Sequence, residues 1–418
     1  MDTNNSIPRE EGLDNTLDLI KEGYLYISKR CEEFNSDMFE TRVLGKKAVC
    51  MRGKEAAKLF YDTDKFIRHG AAPKRVQKTL LGEGGVQSLD GKAHHHRKAM
   101  FMNHTNKDSL GGLRELTKKH WDVAIDNWIN KEEINFYDES KVLIIKIACN
   151  WAGVPLKEDE VYKRAEEMAE MYETPATIAL EQHKGRQARR NSEKWIRDMV
   201  EDIRQVNLNP PEDSVLYNFA FHKDLEGNLL DPDIVAVEVL NILRPMVAIS
   251  VYMNFMALAL HQHPEEKAKL RTGDEEALER FVQEVRRYYP FFPFNGAKVK
   301  EDFTWNGYDF EKDTLVLLDF YGTNHHPEIW DNSEEFDPDR FKEWDENKYD
   351  FVPQGGGDYH TNHRCAGEWV TLDIMKISLD YLVNKITYDV PEQDLDYSMV
   401  DIPSLPKSRF IMKNIKRV

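Results

Sequence analysis

The stretch Phe351–Trp369, FVPQGGGDYHTNHRCAGEW, places a single cysteine, Cys365, at the end of a glycine-rich loop. An apolar run that favours a helix follows it. We therefore expect the thiol near a helix N-terminus, where the macrodipole stabilises negative charge and lowers a cysteine pKa. His363 and Arg364 directly precede the cysteine and would add to that effect or pair with an anionic cofactor. The glycines Gly355–Gly357 let the backbone approach a large, flat group.

A cysteine thiolate in this setting can ligate haem iron and donate electron density that favours O–O cleavage. The alternative is a buried cysteine behind an ordinary loop. The segment resembles the haem-ligand loop of the cytochromes P-450, with His363 two residues before the cysteine and Gly367 two residues after it. It is longer than the usual loop, and in this it resembles the bacterial peroxide-using fatty-acid hydroxylases and decarboxylases of that family.

The composition excludes several classes of protein. The chain has 418 residues, 41% of them hydrophobic and 31% charged, which is typical of a water-soluble globular protein with one large two-lobed fold or two domains. A net charge of −17 argues against nucleic acid and anionic membrane surfaces as partners. Four widely spaced cysteines without a CxxC pattern indicate free thiols in a reducing cytoplasm.

No segment of the sequence is predicted to cross a membrane. Residues 1–12, MDTNNSIPREEG, are polar and acidic and predict neither a signal peptide nor a membrane anchor. The longest apolar run, 235–260, contains Glu238, Arg244 and Asn254, which the centre of a bilayer would penalise. We therefore interpret this run as the buried central helix of a water-soluble protein.

The periodicity of the sequence predicts a fold that is mainly α with a minor β component. A short hairpin is expected at 41–52 and another between ITYDV and RFIMKNIK, with turns at Asn295–Gly296 and Asn306–Gly307 between further short strands. The resemblance implies the cytochrome P-450 fold with a cysteine-ligated haem. The prediction is one domain, 1–418, with a larger helical lobe and a smaller β-containing lobe. Helices are predicted over 13–35, 54–62, 90–102, 110–130, 140–152, 158–172, 183–207 and 265–289.

Three charged residues upstream of Cys365 form a candidate structural network. Glu284 and Arg287 are three residues apart on a predicted helix and so share one face. Arg340 follows in FDPDRF, a proline-containing stretch before the cysteine loop. An isolated Glu-x-x-Arg is by default a solvated ion pair, but the order and spacing resemble the Glu-Arg-Arg network that holds the haem-ligand loop in cytochromes P-450.

The resemblance implies haem b as the cofactor, with Cys365 as its axial metal ligand. It also implies that His94 and Arg97, in DGKAHHHRKAMFM, donate hydrogen bonds to a haem propionate, since anionic oxygens require charged donors. Arg68 and His363 are further cofactor-binding candidates. The histidine triplet is not expected to bind a metal ion, because consecutive helical residues point about 100° apart.

The central helix carries Arg244 and Pro245 in LNILRPMVAIS, where most cytochromes P-450 have an acid–threonine pair that relays protons. A buried arginine requires an anionic partner. That partner is either a protein carboxylate or the carboxylate of a substrate, which the planar guanidinium binds bidentately. In the second case the substrate carboxylate replaces the missing acid–base, and hydrogen peroxide supplies the oxidant without a reductase. The Arg-Pro pair and the segments RRYYPFFPF and YGTNHH resemble the fatty-acid peroxygenase branch.

A carboxylate held at Arg244 would bring the α and β carbons of a long-chain fatty acid to the reacting centre, giving 2-/3-hydroxy acids, terminal alkenes plus CO2, or both. Gln87 stands where alkene-forming members tend to have histidine; its amide cannot ionise, which favours hydroxylation. RCAGEW resembles the alkene-forming members, so we expect both products. Pro245 and Phe291 are predicted to contact the substrate, and Leu81 departs from the aromatic residue expected in the pocket. The other pocket walls are expected within 165–185 and the 291–295 turn.

Two rival functions remain at this stage. One is a reductase-dependent haem-thiolate monooxygenase, and the other is a non-catalytic haem sensor. The favoured function predicts a cytoplasmic monomer whose partners are a long-chain fatty acid and hydrogen peroxide. It predicts no obligatory redox partner, no nucleic acid and no membrane anchor.

Overall fold

The computed structural model describes residues 7–175, 179–271 and 274–418, and helices dominate these ranges. The fold is mainly α with a minor β component, as predicted. The helices are α1 Thr16–Glu22, α2 Tyr26–Glu33, α3 Lys54–Phe60, α4 Lys74–Val76, α5 Gly91–Thr105, α6 Gly111–Trp128, α7 Phe136–Ala152, α8 Val161–Glu173, α9 Ala179–Arg204, α10 Val215–Ala220, α11 Pro232–Gln262, α12 Pro264–Leu270, α13 Glu275–Tyr288, α14 Phe320–Asn324 and α15 Glu368–Asp380.

The strands form three small sheets. A five-stranded sheet has the order β1-β2-β8-β5-β3, in which β2 and β8 run parallel and the other neighbours antiparallel. A three-stranded sheet has the order β4-β10-β9, and β6 pairs with β7. The strands are β1 Met38–Val43, β2 Lys46–Met51, β3 Phe66–Ile67, β4 Glu133–Asn135, β5 Phe294–Val299, β6 Phe303–Trp305, β7 Tyr308–Phe310, β8 Leu315–Asp319, β9 Ile386–Asp389 and β10 Ile411–Arg417.

Helix α11 runs through the middle of the helical part. Asp231 caps its N-terminus by accepting a hydrogen bond from the Asp233 N–H at 2.8 Å, and Pro232 occupies the first helical position, where no partner for an N–H is lost. Within the described residues, α11 is the one helix long and apolar enough to cross a membrane. It is buried among α7, α8, α9 and α15, so its composition reflects the protein core.

The apolar core consists of several separate clusters of buried side chains. The largest cluster of buried side chains lies among the helices from α6 to α13 and α15. Two smaller clusters lie against the five-stranded sheet. The assignment of residues 1–418 to a single domain stays a prediction.

Several predicted boundaries were wrong. The helix predicted over 13–35 is interrupted at Gly23, whose φ is +55° and where a Cβ would lie 2.3 Å from the Met399 carbonyl oxygen. Asn295–Gly296 is not a turn, because both residues pair with β8 inside β5. The helix predicted over 265–289 is two helices, and its residues 272–273 lie outside the described ranges.

The hairpins predicted at the chain ends are confirmed. Strands β1 and β2 pair in register from Met38–Met51 to Val43–Lys46, and β9 pairs with β10. The Asn306–Gly307 turn joins β6 to β7, and both residues have the positive φ that a tight two-residue turn requires.

Candidate active site

The cysteine loop is folded tightly around Cys365. Its backbone N–H donates to the carbonyl oxygen of Gln354 at 3.0 Å, and Gly355 and Gly357 adopt φ values of +95° and +82° that favour glycine. Helix α15 begins at Glu368, so the thiol lies near a helix N-terminus as predicted. Burial raises the pKa of the Cys365 thiol and outweighs the Gly367 N–H that lowers it, so the predicted lowering of this pKa was wrong.

A cavity of about 310 Å³ lies between the cysteine loop and α11. Much of its wall is apolar, which suits a hydrocarbon chain. Its polar side includes the thiol together with guanidinium, imidazole, lysine and amide groups. The apolar lining includes Leu80, Leu81, Val86, Ile242, Pro245, Met246, Ala248, Ile249, Phe291 and Val370, and the polar lining includes Gln87, His94, Lys98, Asn241, Arg244, His363 and Cys365.

Arg244 projects from α11 into this cavity, and it has no counter-ion among the residues that the structure describes. Its side chain is buried, and its Nη1 atom has no hydrogen-bond partner within the described ranges. Burial, together with the positive charge of Arg189, lowers the pKa of Arg244 to about 9. No carboxylate in the described ranges pairs with it, so the structure offers no partner for the internal salt bridge that the sequence left open. A buried guanidinium in this state is a strong site for an anion.

Gln87 and Arg97 belong to one buried polar cluster. The Gln87 Oε1 atom accepts from the Asn241 amide at 3.1 Å, and the same amide donates to Glu238 at 3.0 Å. Arg97 Nη1 donates to the other oxygen of Glu238 at 2.8 Å. Gln87 lines the cavity, whereas Arg97 does not. The predicted propionate contact of Arg97 stays a prediction, and this ion pair counts against it.

The remaining cofactor candidates cluster near the cysteine loop. The rings of His94 and His363 stack with centroids 3.8 Å apart, and both line the cavity. Burial is the main cause that lowers the pKa of His94 to about 2 and of His363 to about 4, so both rings are neutral at pH 7. Arg68 is buried against the Phe60 ring, and its Nε atom has no partner in the described part of the chain. It does not line the cavity.

Lys98 is a cavity residue that the sequence reasoning missed. It is buried, and its Nζ atom donates to the carbonyl oxygens of Asn362 and Arg364 in the cysteine loop. Burial lowers its pKa to about 8. Lys98 follows His94 by four residues on α5, and this i,i+4 spacing was the available signal.

The predicted Glu284–Arg287–Arg340 network is assembled in the structure. Arg287 donates to both carboxylate oxygens of Glu284, at 2.7 and 2.8 Å, and Arg340 Nε lies 3.2 Å from the same carboxylate. Arg287 also donates to the carbonyl oxygen of Ser333 at 2.8 Å. Glu284 and Arg287 are fully buried, and each neutralises the charge of the other, which would be costly to bury alone. The network ties α13 to the chain before the cysteine loop.

The predicted substrate contacts lie on one side of the cavity. Helix α11 continues through Pro245, which lines the cavity next to Arg244. The Phe291 ring stacks on Tyr252 at 4.2 Å, and its carbonyl oxygen accepts from the Tyr24 hydroxyl at 3.0 Å. From the predicted walls, Tyr172 and Asn295 also line the cavity, while residues 176–178 lie outside the described ranges.

These residues fit a haem. A single thiol faces a cavity with an apolar opposite wall, and the His94 imidazole and the Lys98 amine stand at its polar side. The orphaned Nε of Arg68 adds a buried donor close to the Asp90 loop, where the Arg68 backbone N–H donates to Asp90 at 2.8 Å. A haem needs such a site, because its iron can be ligated by sulfur and its carboxylates need hydrogen-bond donors.

Comparisons with known proteins agree with this interpretation. The sequence model of the family Cytochrome P-450 matches residues 159–410. Cytochrome P-450EX alpha (CYP152N1), solved with myristic acid, is 49% identical, with 99% of this chain and 100% of that chain covered and a TM-score of 0.94. Cytochrome P-450SP alpha (CYP152B1) with (R)-ibuprophen is 43% identical over 97% and 99% of the two chains, with a TM-score of 0.94. Ligand-free cytochrome P-450 OleT is 39% identical over 99% of both chains, with a TM-score of 0.96.

A curated relative is more distant. The abscisic acid 8'-hydroxylase of Solanum lycopersicum is 23% identical over 388 residues, which is 85% of this chain and 79% of that protein. Together with the cysteine loop, these matches define the class: the chain belongs to the cytochrome P-450 family, whose members hold haem through a cysteine. Within the family it groups, over its full length, with the CYP152 proteins P-450EX alpha, P-450SP alpha and OleT.

Proposed function

We propose that the protein is a peroxygenase that uses hydrogen peroxide to oxidise long-chain fatty acids at the α and β carbons. The observation that carries the proposal is Arg244, a buried guanidinium that faces the cavity of Cys365 and has no carboxylate partner in the described part of the chain. The relative P-450EX alpha was solved with myristic acid, a fatty acid whose carboxylate is such a partner. Hydroxylation converts fatty acid and peroxide to hydroxy acid and water, and decarboxylation gives alkene, CO2 and two waters.

Arg244 binds and orients the substrate. Its planar guanidinium presents two parallel N–H donors that match a carboxylate, and the buried setting strengthens this pairing relative to water. The alkyl chain then lies along the apolar wall formed by Ile242, Ile249 and Phe291, among others. This placement leaves the α and β carbons, and not the distal chain, nearest the cysteine side of the cavity.

The bound carboxylate also moves a proton. Helix α11 has no acid–threonine pair, since Arg244 and Pro245 occupy that level. A carboxylate oxygen held by Arg244 can accept a proton from one peroxide oxygen and return it to the other, as a positioned general acid–base does. Haem bound through Cys365 would supply the oxidising chemistry, with the thiolate favouring O–O cleavage. Peroxide brings both the oxygen and the oxidising equivalents, so the proposal requires no reductase.

We assign the following roles within this proposal. Haem b would be the cofactor, and Cys365 would hold its iron through the sulfur. His94, His363 and Lys98 stand at the polar side of the cavity and are the main candidates to hold the propionates, with Arg68 behind them. The Glu284–Arg287–Arg340 network keeps the chain before the cysteine loop in place.

Gln87 favours hydroxylation within the proposed reaction. Its amide oxygen is occupied by Asn241, and a neutral amide cannot donate a proton as an imidazolium does. We propose a mixture in which 2- and 3-hydroxy acids exceed terminal alkene. We further propose that the protein acts in the cytoplasm as a monomer, without an obligatory redox partner.

The test is an incubation of the purified haem-loaded protein with a C14 fatty acid and hydrogen peroxide, without reductase, with products measured by gas chromatography–mass spectrometry. Hydroxy acid or alkene is expected from the wild type. Arg244→Leu should lose about 30- to 900-fold in kcat/KM with haem retained, since an oriented charge-assisted pair is worth about 2–4 kcal/mol. The methyl ester of the same acid is the matched control and should not react.

Two outcomes would redirect the assignment. Turnover that requires NAD(P)H and a reductase would favour the monooxygenase. Absence of any product, with a normal thiolate-type carbon monoxide spectrum, would favour a haem sensor. Full activity of Arg244→Leu would refute the carboxylate role.

A further inference from the structure

A side-chain amide contacts the sulfur of Cys365 directly. Gln354 Nε2 donates to Cys365 Sγ at 3.7 Å, and the same nitrogen donates to Thr371 Oγ1 at 3.1 Å. The backbone adds a second link, because the Cys365 N–H donates to the Gln354 carbonyl oxygen at 3.0 Å. Gln354 therefore holds the cysteine through both its main chain and its side chain.

The orientation of this amide is fixed by its other partner. Gln354 Oε1 accepts from Arg286 Nη2 at 3.0 Å. A guanidinium has five N–H donors and no acceptor, so the oxygen of the amide must face Arg286. The NH2 group must then face Thr371 and the sulfur. Glutamine oxygens and nitrogens are interchangeable in shape, and here the arginine removes the ambiguity.

Arg286 is itself held in place. It is fully buried, pairs with the equally buried Glu368 and donates to Gln283. Glu368 also accepts from Arg364 at 2.7 Å. The array runs from Arg364 through Glu368 and Arg286 to Gln354, and it ends on the sulfur. Buried charges arranged in this way are costly to rearrange, so the amide has little freedom to turn away.

We infer that Gln354 is a positioning residue that withdraws electron density from the cysteine sulfur, and that Arg286 and Glu368 keep it aimed. An N–H···S bond stabilises the anionic sulfur and weakens its donation to a bound metal, and hydrogen bonds to ligand sulfurs are among the levers that set reduction potential. The inference rests on the cysteine-ligated haem of the family and is independent of the peroxide reaction.

The test compares haem-loaded Gln354→Leu with the wild type. Without the donor, the sulfur should donate more strongly. The Fe–S stretching frequency in resonance Raman spectra should rise and the ferric–ferrous potential should become more negative. We expect about a tenfold lower ratio of reduced to oxidised protein at a fixed potential, which is 59 mV for one electron. Gln354→Met, which keeps the side-chain length, gives the same measurement if the leucine variant fails to retain haem.

Gln283→Leu is the matched control. Gln283 is also a buried glutamine bonded to Arg286, but it has no contact with the sulfur. Its replacement should leave both readouts at the wild-type values. An unchanged potential and frequency in the Gln354 variants would overturn the inference. An equal change in Gln283→Leu would also overturn it, since the effect would then come from Arg286. Fatty-acid turnover plays no part in either readout, so the proposed function can fail without affecting this result.

Discussion

Replacing Arg244 with methionine should make the protein more stable and at the same time remove its response to fatty acid. Burial lowers the pKa of Arg244 from its ordinary value to about 9. At 1.36 kcal/mol per pKa unit, keeping this group charged in the folded protein costs roughly 4–5 kcal/mol. Lost packing and the water in the cavity reduce the net gain, and we expect about 1–3 kcal/mol for Arg244→Met.

The pH dependence has a definite sign. Below pH 9 the guanidinium is charged in both the folded and the unfolded protein. The folded protein therefore carries the full free-energy cost of burying the charge. Above pH 9 the unfolded protein binds more protons at this site than the folded protein does, so the contribution of Arg244 to stability rises with pH. The difference in the free energy of unfolding between wild type and Arg244→Met should therefore be constant up to pH 9 and become smaller above it.

The assay is thermal unfolding of the haem-loaded protein with and without saturating fatty acid at pH 7. At 2.1 cal/mol/K per residue, 418 residues give roughly 1 °C per kcal/mol, so Arg244→Met should gain about 1–3 °C in Tm without ligand. Fatty acid should raise the Tm of the wild type and leave that of the variant unchanged. Arg164→Met is the control, because Arg164 is also buried but is paired with Glu167 at 2.8 Å. The control should lose stability. If Arg244→Met loses stability to the same extent and still responds to fatty acid, the reasoning fails.

Three further predictions follow from the site and the sheet. Glu284→Gln should lower the free energy of unfolding by about 3–5 kcal/mol in a denaturant titration and release haem faster, because two arginines lose their counter-charge. Glu279 is the control, because it belongs to a partly exposed ion pair, and Glu279→Gln should have neither effect. Gln87→His should raise the alkene fraction several-fold by mass spectrometry, and an unchanged product ratio would contradict the role of the amide. Burial raises the pKa of Asp319 to about 6, so the folded protein binds more protons between pH 4 and 6 and loses stability there as pH rises. Asp319→Asn should therefore gain about 1–2 kcal/mol in urea unfolding at pH 7 and nothing at pH 4.

The parts of the site that could be predicted from the sequence depend on local spacing. Glu284 and Arg287 meet because they are three residues apart on one helix. The cysteine loop is recognisable because its glycines, its basic residues and the following helix are contiguous in the chain. Arg244 is conspicuous because a charge on an otherwise apolar helix requires an explanation.

The parts that could not be predicted depend on contacts between distant segments. Arg97 and Lys98 are both one turn from His94. Arg97 points away from the cavity because it pairs with the buried Glu238, which is 141 residues away in the sequence. Gln354 and Arg286 are 68 residues apart, so their bond leaves no pattern in the sequence. The interruption at Gly23 has the same origin, because its close neighbour is Met399.

The five-stranded sheet sets an order of events for newly made chains. Strand β2 ends at Met51, but its parallel neighbour β8 begins only at Leu315. At a synthesis rate of about 5–20 residues per second, roughly 13–50 s pass between the synthesis of β2 and that of β8, the strand that pairs with its edge. Such long-range parallel pairing is slow to form and leaves the edge open to other chains meanwhile. Expression at lower temperature, or with a chaperone that covers exposed strand edges, should therefore raise the yield of soluble protein more than added haem precursor does.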